Sequence, residues 1–441
     1  MTTSHVSVII ILITLVFYIF ELLPAPVIAM GSTALMVLFR VAPASSVWAV
    51  FGQDSVLLMG GMTLTGSTLF STGAIQKLSA MIERATGGKV KLSIFAILLT
   101  AGLFSPFMNN TTVTVIFIPL ILGIVARERS RDITEQKYIQ ALVCVVSVSG
   151  LATLIGTGTT IAASSMMENT GYGAIGFFDF LPIAAICFVI TMIYVFTAGS
   201  RIADWMVARN PYRSETVHDY ISEYEKRAKA SNQEFPVTRQ MIISIAIMLL
   251  TVTGLITSDV HGLGLGTVAI LGGLACIITG CIPFKVAMQK ISWETLLILG
   301  GTIGCGSALA SSGGGALIAT SILSVFGDNL SPYGVFVVMT LMSGILGQVL
   351  SNTATVGIFI PISVAICEEL GISPLTTIYG ITIASTLTFA TPMSSHLHAM
   401  IIDWGSYRFV DYLTYSGPIN ALLLIIILIL LPILYPIVPL P

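Results

Sequence analysis

Two long apolar segments of this sequence are each interrupted by an asparagine–threonine pair, Asn110-Thr111 and Asn352-Thr353. Amide and hydroxyl side chains at such a place can line the start of a helix, where free backbone N–H groups and the helix dipole give about half a positive charge. A small anion can bind there without lysine or arginine. One pair alone would more simply be a helix cap, but two pairs at related positions favour a binding site.

The next apolar segment after each pair is also interrupted. Thr153 and Gly156–Thr160 break the segment 139–170, and Thr391–Ser395 breaks the segment 376–404. Backbone N–H and C=O groups that have lost their helical partners are tolerated at membrane depth only where protein or a water-filled cavity supplies new hydrogen bonds. We therefore expect these residues to line an internal site. Catalysis is not expected, because the sequence has no His-Glu metal spacing, nucleophile elbow or phosphate-binding glycine loop.

The composition is that of a membrane protein. Of the 441 residues, 55% are hydrophobic and only 9% are charged, whereas soluble proteins carry roughly 25% charged residues. The net charge of −2 gives no field that would attract nucleic acid, so the expected surroundings are a lipid bilayer. The six cysteines stand singly and without metal-ligand spacing, which indicates packing residues.

Apolar segments long enough to cross a bilayer fall in two sets of six. The sets lie near 5–23, 26–42, 53–75, 89–127, 139–170 and 181–199, and near 241–258, 264–282, 293–311, 333–368, 376–404 and 418–435. Short motifs recur between the sets in the same order; Gly60-Gly61 returns as Gly300-Gly301, and Ile116–Pro119 as Ile358–Pro361. We predict a first repeat at 1–200, a cytoplasmic linker at 201–240 and a second repeat at 241–441.

The predicted fold is an all-α polytopic membrane protein with two inverted-topology repeats. Each repeat has three spans, a re-entrant hairpin, a broken helix and a last span, which makes five crossings and turns the second repeat over. With both termini outside, 18 of the 19 Lys and Arg residues fall on the inner side, and Arg40 is the exception. This bias predicts a multi-pass protein of the cell (inner) membrane with external termini.

These motifs resemble those of the divalent anion–sodium symporter family, which includes dicarboxylate, citrate and some sulfate carriers. That family has a Ser-Asn-Thr motif at the tip of each of two opposed hairpins. The second motif is Ser351-Asn352-Thr353 here, and the first is the variant Asn109-Asn110-Thr111. The Ala-Thr-Pro motif of the second broken helix is Ala390-Thr391-Pro392. The resemblance covers nearly the whole chain.

The resemblance implies a homodimeric elevator transporter in which the first spans of each half form a scaffold for the hairpins and broken helices. Sodium (Na⁺) would be the coupling ion. The implied sodium ligands are the side chains or carbonyls of Ser105, Asn109, Asn110, Ala152, Gly347, Asn352 and Ala390. The implied anion-binding residues are Asn110, Thr111, Thr153, Asn352, Thr353, Thr391, Pro392 and His398.

Three further positions depart from the family pattern. Gly347 lacks the hydroxyl expected four residues before the second motif, so we expect weaker sodium binding there and tolerance of, or gain from, Gly347→Ser. Thr160 and His398 stand where the family usually has asparagine, which leaves the substrate open. His398 could face the anion, or it could be a neutral histidine bonded to a carbonyl.

The leading hypothesis is Na⁺-coupled uptake of a di- or tricarboxylate or a small oxyanion. The alternatives are an ion antiporter or metalloid-efflux permease of the same superfamily, and an anion exchanger without sodium coupling. Proton antiport normally uses buried carboxylates, and no Asp or Glu lies in the middle of a predicted span. A channel is disfavoured, because two opposed hairpins that each reach halfway do not form a continuous pore.

Overall fold

The structure of the protein is a computed structural model. It describes residues 2–19, 22–74, 77, 81, 85–87, 89–127, 135–209, 237–291, 293–326, 331–391, 397–398, 401 and 407–440. Apart from one isolated bridge between Ile372 and Pro439, the regular structure in these ranges is helical. The all-helical class predicted from the sequence is confirmed.

The helices of the first half follow the predicted segments. They are α1 (Thr3–Ile19), α2 (Ala25–Leu38), α3 (Ala44–Trp48), α4 (Asp54–Ser71), α5 (Val90–Phe104), α6 (Asn110–Arg127), α7 (Glu135–Gly150), α8 (Gly158–Asn169), α9 (Leu181–Phe196) and α10 (Ala198–Arg209). Helix α10 leaves α9 at an angle of 44° and runs across the repeat boundary predicted at residue 200. Residues 210–236 of the predicted linker lie outside the described ranges.

The second half repeats much of this order of elements. Its helices are α11 (Arg239–Ile256), α12 (Ser258–His261), α13 (Leu265–Ile278), α14 (Phe284–Lys290), α15 (Trp293–Ser311), α16 (Gly314–Phe326), α17 (Pro332–Leu346), α18 (Asn352–Glu369), α19 (Leu375–Thr386) and α20 (Phe409–Leu434). The matching order supports a duplication, whereas the inverted orientation of the two halves stays a prediction.

Several helices have the length and apolar character of membrane spans. In the described ranges these are Ala44–Leu69, Val90–Phe107, Arg239–Ile256, Trp293–Ser311 and Phe409–Leu434, with a sixth if the bent pair α9 and α10 counts as one span. Shorter apolar helices stand beside them, among them α1, α2 and α13. These three helices have 17, 14 and 14 residues, somewhat fewer than the roughly 20 residues of an average membrane span.

Close helix crossings join the two halves. Helix α4 packs on α13, and α15 packs on α2, so each of these four helices has its partner in the other half. Gly61 lies against the backbone of Ala269, and Gly301, 240 residues later, lies against that of Ala29. A Cβ atom at Gly301 would come within 2.6 Å of the Ala29 carbonyl carbon, closer than real side chains approach. Glycine is required at these positions because the backbones nearly touch.

Both hairpins pack in the same way. The arms α5 and α6 of the first hairpin lie on α7, and the arms α17 and α18 of the second lie on α19. Helix α8 then contacts α18, α19 and α15, which connects the first broken segment to the second half. The hairpin tips are thus held by helices that themselves end in the breaks.

Candidate substrate and cation site

The first hairpin turns at a proline. Helix α5 ends at Phe104, a 3₁₀ turn covers Ser105–Phe107, and α6 begins at Asn110. Pro106 cannot donate a backbone hydrogen bond and so ends the first arm. The Oδ1 atom of Asn109 accepts the N–H of Thr111 at 2.9 Å, which caps the second arm. Asn109 and Asn110 are partly exposed and Thr111 is exposed, so the tip opens onto a space.

The second hairpin turns without proline. Helix α17 ends at Leu346, and Ser351 caps α18 by accepting the N–H of Ala354 at 3.2 Å. Asn352 and Thr353 are partly exposed at the first two positions of α18. As at the first tip, the helix presents its free N–H groups at the turn. Each predicted Asn-Thr pair therefore stands at the start of a half-helix.

The two breaks lie behind the tips and are buried. Helix α7 stops at Gly150, and Thr157 caps α8 by accepting the N–H of Thr160 at 3.2 Å. The hydroxyl of Thr160 lies 2.8 Å from the Leu154 carbonyl and is therefore committed to the break itself. In the second half α19 stops at Thr386 and an irregular segment runs to residue 391. Pro392, predicted as an anion-binding residue, lies outside the described residues.

A threonine ties each break to its own hairpin. The hydroxyl of Thr153 donates to the carbonyl of Pro106, and the hydroxyl of Thr391 donates to the carbonyl of Gln348. Each threonine directly follows an alanine of the break, Ala152 or Ala390. Each bond leads to the end of the first arm of the hairpin in the same half. The two bonds occupy equivalent places in the two halves, and they hold each broken segment against its tip.

Each tip asparagine meets a hydroxyl and a carbonyl. In the first half, the hydroxyl of Ser105 lies 2.6 Å from Oδ1 of Asn110 and 2.8 Å from the carbonyl of Val146. A hydroxyl has one proton, so it can donate to only one of these two oxygens. The cluster therefore gathers three oxygen atoms with a single proton. Such a set suits a hard cation that prefers oxygen ligands, so the residues present fit sodium.

An equivalent cluster stands in the second half. The hydroxyl of Thr388 lies 2.7 Å from Oδ1 of Asn352 and 3.1 Å from the carbonyl of Ser385. Gly347, which was predicted to leave this place without a hydroxyl, is buried against the methyl group of Thr388. A Cβ atom at Gly347 would lie 2.8 Å from that methyl group. The expectation that Gly347→Ser would be tolerated therefore disagrees with the packing.

The second tip also reaches the first broken helix. A Cβ atom built on Gly158 would lie 3.9 Å from Oγ1 of Thr353 and 3.6 Å from the side chains of Met59 and Thr295. The second hairpin tip and the start of α8 are thus neighbours. This juxtaposition brings Thr353 to a second helix start, where N–H groups are again available.

His398 has different surroundings. Its ring is 2% exposed and packs between Phe389 and Tyr412, with ring centroids 6.3 Å away in each case. Within the described part of the chain neither ring nitrogen has a hydrogen-bond partner. The hydroxyl of Tyr412 donates to the backbone carbonyl of His398 at 2.7 Å. Spacing along the helix placed this residue beside Thr391, but the contacts of its ring are with aromatic side chains.

Two residues of the second site were missed from the sequence. Thr388 is one, and Gln348 is the other: its Oε1 accepts the N–H of Ala390 at 3.1 Å. The signal for Thr388 was present, because its equivalent in the first half is Gly150, just as Gly347 is the equivalent of Ser105. Comparing the halves position by position would have shown that hydroxyl and glycine change places.

Comparison with known proteins settles the family. The sequence profile of the citrate transporter family matches residues 15–357 and, in a second alignment, residues 264–440. The chain belongs to this family. Its relatives include an uncharacterized transporter of Synechocystis, 22% identical over 98% of this chain and 97% of the relative. A sodium-dependent dicarboxylate transporter of Staphylococcus aureus is 22% identical over 96% of this chain and 84% of its own length.

Solved structures show the same fold class. The YdaH transporter of Alcanivorax borkumensis aligns with a TM-score of 0.54 at 13% identity, over 95% of this chain and 98% of its own. The MtrF transporter of Neisseria gonorrhoeae aligns at 0.60 and 16% identity, over 98% and 95%. By its family the protein is a membrane transporter and not an enzyme, and its resemblance to the symporter family is confirmed.

Proposed function

We propose that this protein couples the inward movement of Na⁺ to uptake of a small anion, a di- or tricarboxylate or an oxyanion. The observation that carries the proposal is the pair of matched clusters, Asn110 with Ser105 and Asn352 with Thr388. Each offers three oxygens with one proton beside the start of a half-helix. The clusters would hold sodium, and the helix starts would hold the anion.

The anion would lie between the two tips. Asn110, Thr111, Asn352 and Thr353 are partly or fully exposed there, whereas Thr153 is buried. Thr353 also lies near the start of α8, which adds the N–H groups of a further helix. Bound sodium on either side would supply the positive charge that the spans lack, which makes anion binding depend on the ion.

Movement would follow the elevator scheme. The hairpins, α7, α8 and α19 pack on one another and would move as a unit, while α4, α13, α2 and α15 cross closely enough to act as the scaffold. We propose a homodimer in the cell membrane, with both termini outside and residues 201–240 in the cytoplasm. The basic side chains, 18 of 19 of which fall on one face, support this orientation.

The test is transport by purified protein in liposomes. Uptake of labelled citrate, succinate and sulfate is measured with an inward sodium gradient and with choline in its place. We expect uptake of at least one anion to need the sodium gradient and to decline when Ser105 is replaced by alanine. Uptake that is equal in choline but stimulated by unlabelled anion inside the liposomes would establish an anion exchanger. Outward transport driven by a proton gradient would establish an antiporter or efflux permease.

A further inference from the structure

Position 388 carries a hydroxyl where the first half has glycine. The two clusters differ in which element supplies this group. In the first it comes from Ser105 at the end of the hairpin arm, and Gly150 lies against the amide of Asn110 at the start of the break. In the second it comes from Thr388 in the break, and the hairpin arm has Gly347.

Each glycine makes room for a member of its own cluster, Gly150 for the amide of Asn110 and Gly347 for Thr388. A side chain on Gly150 would overlap the amide of Asn110, and a Cβ atom on Gly347 would meet the Thr388 methyl group at 2.8 Å. Both hydroxyl residues are almost completely buried, Ser105 at 0% and Thr388 at 1% exposed. Hydroxyl and glycine have therefore been exchanged as a matched pair, because either change alone would crowd the site or leave it without the hydroxyl.

We infer that Thr388 is the hydroxyl ligand of the second sodium site and that it replaces the group missing from Gly347. The inference rests on the sodium coupling proposed above. The Thr388 hydroxyl would turn its proton to the Ser385 carbonyl, 3.1 Å away, and present a lone pair beside Oδ1 of Asn352. The second site would then have the same donors as the first, and both sites would bind sodium with comparable strength.

Sodium-dependent thermal stability of the detergent-solubilised protein tests this without transport. Ligand that binds only the folded state raises its stability with concentration, so melting is followed as NaCl replaces choline chloride. We expect Thr388→Val, which keeps the methyl group and removes the hydroxyl, to raise a half-saturating sodium concentration by about tenfold or more. Thr388→Ser should stay near the wild type. Thr386→Val is the matched control, because that buried hydroxyl bonds, among the described residues, to the Thr382 carbonyl of its own helix, at 2.8 Å.

A transplant of the first-half arrangement completes the test. Gly347→Ser by itself should lower the thermal stability, and Thr388→Gly by itself should weaken sodium binding. The double variant should recover most of the stability and most of the sodium affinity. If the wild type gains no stability from sodium over choline, sodium coupling fails and the inference falls with it. If the wild type responds and Thr388→Val responds equally, the inference alone is overturned. If Thr388→Val does not fold, the double variant decides. A sodium response of the double variant no larger than that of Thr388→Gly would also overturn the inference.

Discussion

Replacing Thr153 by valine removes one hydroxyl and leaves the shape of the side chain almost unchanged. In the native protein that hydroxyl donates to the carbonyl of Pro106, and its oxygen accepts the N–H of Ile155 at 3.3 Å. Thr153 is 1% exposed and Pro106 is buried, so water cannot take over either bond. The variant therefore separates a role in holding the break from a role in binding the anion.

The expected loss follows from the groups left without partners. A buried polar group that loses its hydrogen bond costs about 1–3 kcal/mol. Two backbone groups are affected here, which places the expected loss of unfolding free energy toward the upper end of that range. Thr391→Val removes the equivalent bond to Gln348 and should lose less, because Thr391 is only partly buried.

Equilibrium unfolding in mild detergent measures this loss, together with anion affinity from ligand-induced stabilisation. Thr191→Val is the control, because its buried hydroxyl bonds to Cys187 one helical turn earlier, at 2.8 Å, and that carbonyl keeps its helical partner. We expect the control to lose less than about 1 kcal/mol. Because the Thr153 proton is committed to Pro106, anion affinity of the folded Thr153→Val protein should remain near the wild type.

The opposite pattern would refute the reasoning. If Thr153→Val unfolds like the wild type but loses anion affinity, the hydroxyl binds substrate and the bond to Pro106 contributes little. Thr153→Ser provides a further check, because it restores the donor and should recover the stability. A loss of stability in Thr153→Ser as well would show that the methyl group also contributes at this position.

Three other predictions concern different parts of the chain. Asp204→Asn should destabilise the protein by about 1 kcal/mol at low salt and less at high salt, because Lys137, 2.7 Å away with a side chain 9% exposed, loses its partner; unfolding at two salt concentrations measures this. His398→Asn should leave the pH profile of anion binding unchanged between about pH 5.5 and 7.5, since the ring packs on aromatic side chains; a flattened profile would return it to the site. A cysteine at exposed Val237, in a cysteine-free background, should resist impermeant thiol reagents in whole cells, and ready labelling would overturn the topology.

The hairpin tips and breaks could be found from the sequence because polar residues at membrane depth need a structural reason. Asn110, Asn352, Thr153 and Thr391 follow from that requirement, and the structure gives each of them a partner close to its tip. The boundaries of single helices were harder to predict from the sequence. The segment 139–170 is two helices separated by seven residues, because capping at Thr157 restarts a chain that stopped at Gly150.

The partners of these residues could not be read from any local pattern. Thr388 meets Asn352 across 36 residues of chain, through the packing of α18 on α19. The aromatic neighbours of His398, Phe389 and Tyr412, could likewise not be read from its helical spacing to Thr391. Local sequence fixes where a helix stops, whereas the packing of neighbouring helices decides what each freed group meets.

Because helices of each half pack on helices of the other half, the order of synthesis also limits when the protein can assemble. Helices α2 and α4 enter the membrane early, but their close partners α15 and α13 follow more than 200 residues later. At about 5–20 residues per second, the first-made helices wait roughly 10 to 50 seconds with the face of Gly61 uncovered. Neither half can therefore reach its final packing while the other is missing. A gene split between the halves should yield active protein only when both fragments are made together.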